Sequence, residues 1–463
     1  MKKTLALLAA SLLLATPVLA DTQPAAGQPA ESTGGMTLNM KGITVNLGGF
    51  IEAAGIYRTR NLNSDMASKF NALPLSSQTG YYQDETRFSA RQSRLSLLAK
   101  GDYNPTTHLA GYYEMDFLGA ANSANSKETN SYNPRVRHLY TTIDWDSLGL
   151  HLLGGQTWSL VTMNNKGITP RNEVTPLTIE AQYVPGFTFA RQPQFRITKD
   201  WDKTYWLALS VENPQSVSSS NTNNFALGQT GGGNLDGVTV SDNSYPDFVV
   251  KAAYEPSWGH FEVYNLTRVF KSTTINNKLV HNDKVATTAV GAGFILPIFE
   301  NQLKFQASGL YGRGIGRYGS GQLPDVTVDT IGNIVPITAL QLLAGVVYDP
   351  TSEWNFYGYY GMEQAQRKDM GANTTAYGYG NTLDNTSLGA PTGPGLPSTF
   401  KGQIQRIDQF TVGTWWKFYQ GRFGKMQTGV QYSYTEDKYF SGTAGAPKTA
   451  DQMVFASLRY YWQ

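Results

Sequence analysis

Connections that alternate in length limit this chain's folds more than any single motif. Segments of about ten residues, apolar at every second position, are joined by a tight turn, then a long polar loop, then another turn. A strand sends successive side chains to opposite faces, so such a segment offers one face to an apolar medium and one to water. In the clearest case Leu109, Gly111, Tyr113, Met115 and Phe117 alternate with His108, Ala110, Tyr112, Glu114 and Asp116. The division recurs where Tyr205, Leu207, Leu209 and Val211 oppose Trp206, Ala208, Ser210 and Glu212.

Turn-forming Asp, Asn, Pro and Gly place tight turns near residues 102–107, 146–149, 200–203, 255–259, 297–302, 349–353 and 419–422. Long connections fall at 59–86, 119–134, 159–190, 213–244, 270–286, 313–338, 367–403 and 437–449. Seven turns and eight loops imply 16 strands, an even number that returns both ends of a barrel to one rim. The expected fold is all-β: a transmembrane antiparallel β-barrel with long extracellular loops. Aromatic residues beside the turns, among them Trp201, Tyr254, Trp258, Tyr348, Trp354, Trp416 and Tyr460, suit a girdle at the headgroup level better than scattered β-core packing.

The remaining composition narrows the class. No apolar run after Ala20 reaches the ~20 residues of a spanning helix, so a membrane crossing has to use strands. Residues 1–20, with Lys2 and Lys3 before an apolar stretch from Leu5 to Leu14 and small residues before Asp21, read as a cleaved signal peptide. Residues 21–41 are rich in Gln, Pro, Ala and Gly and read as a flexible periplasmic segment with no coiled-coil pattern; residues 42–463 form the barrel. Of 37 basic residues, 35 remain without Lys2 and Lys3, against 35 acidic, and this balance argues against a nucleic-acid partner. The absence of cysteine rules out a disulfide framework and thiolate metal sites.

A barrel this wide cannot be filled by its own wall side chains and encloses an aqueous channel unless something narrows it. The third long loop, 159–190, carries Lys166, Arg171, Glu173 and Glu180 among Pro170, Pro176, Pro185 and Gly186, and is expected to fold inward. Arginines concentrate in the first third: Arg58 and Arg60 ending the first strand, Arg87, Arg91 and Arg94 in the second, Arg135 and Arg137 in the fourth, Arg191 and Arg196 in the sixth. A low-dielectric lumen focuses their field on anions, and guanidinium forks match carboxylate and phosphate oxygens. The competing expectation is ion pairing, since Glu52, Glu114 and Asp116 lie on interleaved strands. Arginines facing Glu173 and Glu180 on the loop would set up a transverse field. Arg87 and Arg91 share parity with Leu95 and Leu97 whereas Arg94 does not, which requires a bulge or a position above the membrane.

Inward aromatics such as Tyr112, Tyr140, Trp158, Tyr357 and Tyr359 fit wall packing better than a sugar slide, because they do not recur along one strand. The histidines His108, His138, His151, His260 and His281 show neither metal-ligand spacing nor a nucleophile partner, so no enzyme activity and no cofactor are expected. Gly312-Arg313-Gly314-Ile315-Gly316 matches a phosphate-binding glycine loop only superficially, with no strand–helix unit around it.

Gly48-Gly49-Phe50-Ile51-Glu52, Ala90-Arg91-Gln92-Ser93-Arg94-Leu95, Arg135-Val136-Arg137-His138-Leu139-Tyr140, Gly154-Gly155-Gln156-Thr157-Trp158-Ser159 and Gly314-Ile315-Gly316-Arg317-Tyr318 together resemble the trimeric porins of the dicarboxylate-porin (DcaP-like) family over most of residues 45–463. The resemblance implies a homotrimer in the outer membrane of a Gram-negative bacterium, embedded in lipid. It also implies a narrow pore through which small anions, dicarboxylates among them, diffuse passively. Arg91 and Arg94 carry over by motif position. The alternatives are a non-selective or sugar-preferring porin and a plugged structural or adhesive barrel.

Overall fold

A computed structural model describes residues 36–119, 133–219, 225–226, 228–230, 239–276, 279–368, 370, 378–380, 403–441 and 446–462. The expected signal peptide, residues 1–20, and residues 21–35 of the expected flexible segment lie outside these. The wall strands are β1 (Ile43–Arg58), β2 in two segments (Glu85–Ser89 and Arg94–Asn104), β3 (Thr107–Gly119), β4 (Asn133–Trp145), β5 (Leu150–Trp158), β6 (Arg191–Trp201), β7 (Tyr205–Glu212) and β8 (Asp247–Tyr254). They continue as β9 (His260–Asn276), β10 (Leu279–Ile298), β11 (Leu303–Arg313), β12 (Thr338–Tyr348), β13 (Trp354–Ala365), β14 (Ile404–Gly421), β15 (Gly424–Tyr439) and β16 (Lys448–Tyr461). Each pairs antiparallel with the next, and β1 pairs with β16 from Ile51↔Tyr460 to Arg58↔Met453, which closes the 16-strand barrel. Closure leaves the wall without an edge.

All seven short connections fall at the predicted turns, and the third long loop spans 159–190 as expected. The connection expected at 270–286 is instead mostly strand: β9 and β10 stay paired up to Asn276↔Leu279. Above the lipid a hairpin has water on both sides, so polar residues such as Lys271, Ser272, Asp283 and Lys284 mask the period-two signal while the backbone ladder continues. The segment expected to be flexible up to residue 41 already holds strand from residue 37. Thr37–Met40 pairs with Ile43–Asn46 around Lys41 and Gly42, both at positive φ (47° and 86°), the geometry of a two-residue hairpin turn.

Two bulges redirect the first strands. β1 pairs Ala54↔Ser89 but Phe50↔Arg94, so β2 holds one residue more than its partner between these points. This bulge resolves the parity conflict and turns Arg94, Ser96 and Leu98 inward while Leu95 and Leu97 face out. The second lies where Glu114↔His138 is followed by Met115↔Val136, and it leaves Arg137 and His138 both buried on the lumen side.

Outside, the wall is apolar, with Leu109, Leu207, Leu209, Val250, Val263, Val290, Val430 and Leu458 exposed. Near the short turns aromatic rings stack across strands, Tyr205 on Tyr254 at 5.1 Å and Trp354 on Trp416 at 5.6 Å, as a girdle requires. Inside, the loop 159–190 covers much of the wall. Its descending limb packs Leu160, Val161 and Ile168 against Trp206, Val249, Tyr264 and Leu310. Its return limb packs Ile179, Val184 and Phe187 against Leu343, Tyr357, Tyr359, Trp415 and Phe455. Of the residues in these two apolar clusters, only Trp158 comes from β2–β5, so that arc remains the polar side of the lumen.

Candidate functional site

The polar arc carries a compact charge cluster. Arg137, 3% exposed, bonds through Nε to Glu114 Oε1 at 2.6 Å and through Nη1 to Asp116 Oδ2 at 3.0 Å. Arg135 grips Asp116 with two parallel bonds, Nε to Oδ1 at 2.9 Å and Nη2 to Oδ2 at 2.6 Å. Arg94 reaches Glu114 Oε1 only at 3.8 Å. Arg94 and Arg135 keep 27% and 33% of their side chains exposed, enough to meet water in the lumen. Arg191 lies over the rings of Trp158 (4.5 Å) and Phe189 (5.6 Å) and, among the described residues, makes no ion pair or side-chain hydrogen bond. Four guanidinium groups against two carboxylates leave a formal charge of +2. Geometry explains why the carboxylates do not cancel it: Arg135 and Arg137 saturate them, while Arg191 is held by aromatic faces instead.

Tyr183, at the inner turn of the loop, completes the site. Its hydroxyl accepts from Arg137 Nη2 at 3.4 Å and from Arg94 Nη2 at 3.5 Å. Sequence reasoning missed it because a loop residue has no periodicity to mark its direction. Arg135 was visible in the sequence as a neighbour of Arg137, but nothing there distinguished its bidentate role.

The other expected site residues act as ties. Arg58 is fully buried and donates to Glu85 (3.0 Å), to the carbonyls of Ser64 (3.1 Å) and Asp65 (2.6 Å) and to Ser68 Oγ (2.8 Å), which anchors the first loop. Arg91 bonds Asp65 (2.9 Å) and the carbonyls of Phe117 (2.9 Å) and Gly119 (2.8 Å). Arg196 donates to Gln194 Oε1 (2.8 Å) and to the Trp158 carbonyl (2.9 Å). Arg171 sits over the Tyr112 ring at 5.5 Å. Glu180 accepts from Ser68 N at 3.0 Å and Ser68 Oγ at 2.6 Å, and burial pushes its carboxyl above the usual range. Burial does the same to Glu173, which lies near Arg196 and Lys251. The loop carboxylates therefore stand apart from the arginine cluster, whose counter-charges come from β3. Glu52 pairs with Arg459 on β16 at 3.0 Å. The glycine run opens the sixth long loop: Gly314 (φ 73°) packs under Phe270, and a single 3-10 turn, Gly316–Tyr318, follows.

The closed wall, its outward apolar belt and an inward third loop define a transmembrane β-barrel with the fold of the outer-membrane porins. The DcaP outer-membrane channel of Acinetobacter baumannii has the same fold, at TM-score 0.67 and 19% identity over 92% of this chain and 99% of that one. OmpF of Salmonella typhi is similar at TM-score 0.51 and 9% identity, over 92% of this chain and all of that one. No family model and no curated protein matches the sequence. The likeness is one of fold, and the resemblance read from the sequence motifs points to the same architecture.

Proposed function

We propose that the protein is a porin whose constriction favours small anions, dicarboxylates among them, and that it works by passive diffusion as a homotrimer. The observation that carries the reading is Arg191, which faces the lumen on aromatic supports with no carboxylate partner, beside a cluster of net positive charge. A monovalent anion ~6 Å from a charge of +2 gains roughly 1.4 kcal/mol even at the dielectric of water, about a tenfold local enrichment. A solute with two carboxylates gains about twice that and has a second oxyanion to place near Arg94 or Arg135. The family resemblance supports the trimer, which mass measurement in mild detergent tests directly.

Reversal potential in a salt gradient across a planar bilayer is the test. The wild type is expected to prefer chloride over potassium, and succinate is expected to reduce chloride current. Arg94→Gln with Arg191→Gln takes the cluster from +2 to zero and is expected to abolish the preference while conductance persists. Cation preference in the wild type, or an unchanged potential in the double variant, rejects the reading. The apolar packing inside the barrel lends some weight to a plugged barrel, and total absence of conductance would decide for that alternative.

A further inference from the structure

Tyr183 is unusual in both backbone and surroundings. Its φ of 65° lies in the left-handed region, which is unfavourable for a bulky L residue and is occupied only when the surroundings enforce it. Three rings do so: Phe187 at 4.9 Å, Phe189 at 6.1 Å and Trp158 at 6.2 Å between centroids. The enforced conformation delivers the hydroxyl to Arg137 and Arg94, the place where the oxygen of a passing carboxylate would find the same two donors.

We propose that Tyr183 is a specificity-determining residue, a tethered competitor whose hydroxyl fills the oxyanion position between Arg94 and Arg137 and sets the positive charge that permeating anions meet. The inference rests on the anion-preferring reading above and adds a means of adjusting it.

The phenol is suited to that part. Burial alone would push it up, but Arg137, Arg94 and Arg191 outweigh burial and draw it down to about 7. The groups around it are Arg94 from β2, Glu114 and Asp116 from β3, Arg137 and His138 from β4, Arg191 from β6, and the Trp158 ring from β5. Glu180, on its own loop, faces Ser68. With the phenol neutral the cluster stands at +2; as phenolate it lowers this to +1. Anion preference is therefore greatest below neutral pH and falls as pH rises through the phenol's range, and halving the charge lowers local anion enrichment by about threefold.

Reversal potentials of the full-length protein in planar bilayers, one pH unit below and one above neutrality, test this. The wild type is expected to show an anion preference about threefold weaker on the alkaline side, and Tyr183→Phe to keep the acid-side value at both. His138 is the other side chain around the cluster whose ordinary titration range lies near neutrality, bonded to Thr157 at 2.9 Å, so His138→Asn serves as the control and is expected to retain the pH response. A response that survives Tyr183→Phe, or that His138→Asn removes, overturns the proposal. Ultraviolet difference spectra of the folded protein give an independent reading: a tyrosinate signal near neutral pH that Tyr183→Phe lacks supports it, and no such signal rejects it. If the wild type shows no anion preference at either pH, the parent reading falls and takes this inference with it. A preference indifferent to both pH and Tyr183→Phe removes the inference alone.

Discussion

Replacing Gly361 with Val is expected to raise single-channel conductance several-fold and to weaken ion selectivity. Gly361 faces inward from β13, and the third loop lies directly on it. A Cβ there would stand 1.9 Å from the Pro185 carbonyl oxygen and 2.6 Å from Val184 Cγ1, far inside contact distance. Nor can the loop yield by small adjustment. Gly186 (φ 85°) is pressed against the other side of the seat, where a Cβ would meet the Leu342 carbonyl oxygen at 2.0 Å, and its amide donates to Glu363 Oε1 at 2.8 Å. Two glycines thus let loop backbone and wall backbone touch, and a branched side chain forces them apart. Once the return limb lifts, Phe187 and Tyr183 leave Trp158, and Arg137 loses the hydroxyl above it. Gly358→Val is the control, because its Cβ would have no neighbour closer than 3.7 Å. If Gly361→Val conducts like the wild type, the loop is not the element that sets the bore.

The architecture was legible because two signals repeat along the chain. Alternating residues such as Leu207, Leu209 and Val211 against Ala208, Ser210 and Glu212 fix which side faces lipid, and the Asp, Asn, Pro and Gly clusters fix where strands reverse. The signal failed at Lys271 and Lys284, where strands leave the lipid and neither face needs to be apolar. In the site, the arginine-rich strands were visible but the state of each arginine was not. Arg58 and Arg191 look alike in the sequence, yet Ser64, Asp65 and Ser68 of a loop surround the first while Trp158 and Phe189 support the second. Pairing across a fold depends on contacts that no local spacing encodes. The bulges carry the same lesson: one added residue reverses every side chain beyond it, so Arg94 and Arg137 reach the lumen through features that strict alternation does not place.

Lys251→Met is expected to destabilise the folded barrel substantially, and Lys251→Met with Glu262→Gln much less. Lys251 and Glu262 face inward on β8 and β9, both fully buried, with Nζ and Oε1 2.9 Å apart. The ammonium also donates to the Thr162 carbonyl at 2.8 Å and Asn164 Oδ1 at 3.2 Å, so the pair ties the descending limb of the third loop to the wall. Removing only the cation leaves a carboxylate in a dry site, a loss of about 3–5 kcal/mol, whereas removing both charges from a pair of this kind is often close to neutral. Some of the single loss is absorbed because His260 Nε2 and the Asn164 amide, each 3.1 Å from Glu262 Oε2, stay in place. The temperature at which the compact, heat-modifiable form converts to the unfolded band on a gel reads the difference. The expected order is wild type, then the double variant, with the single variant lowest and its current noisy from a loop limb that comes and goes. Equal, small losses in the single and double variants would mean that water reaches the pair, and that the apolar packing of Leu160, Val161 and Ile168 alone holds the limb against the wall.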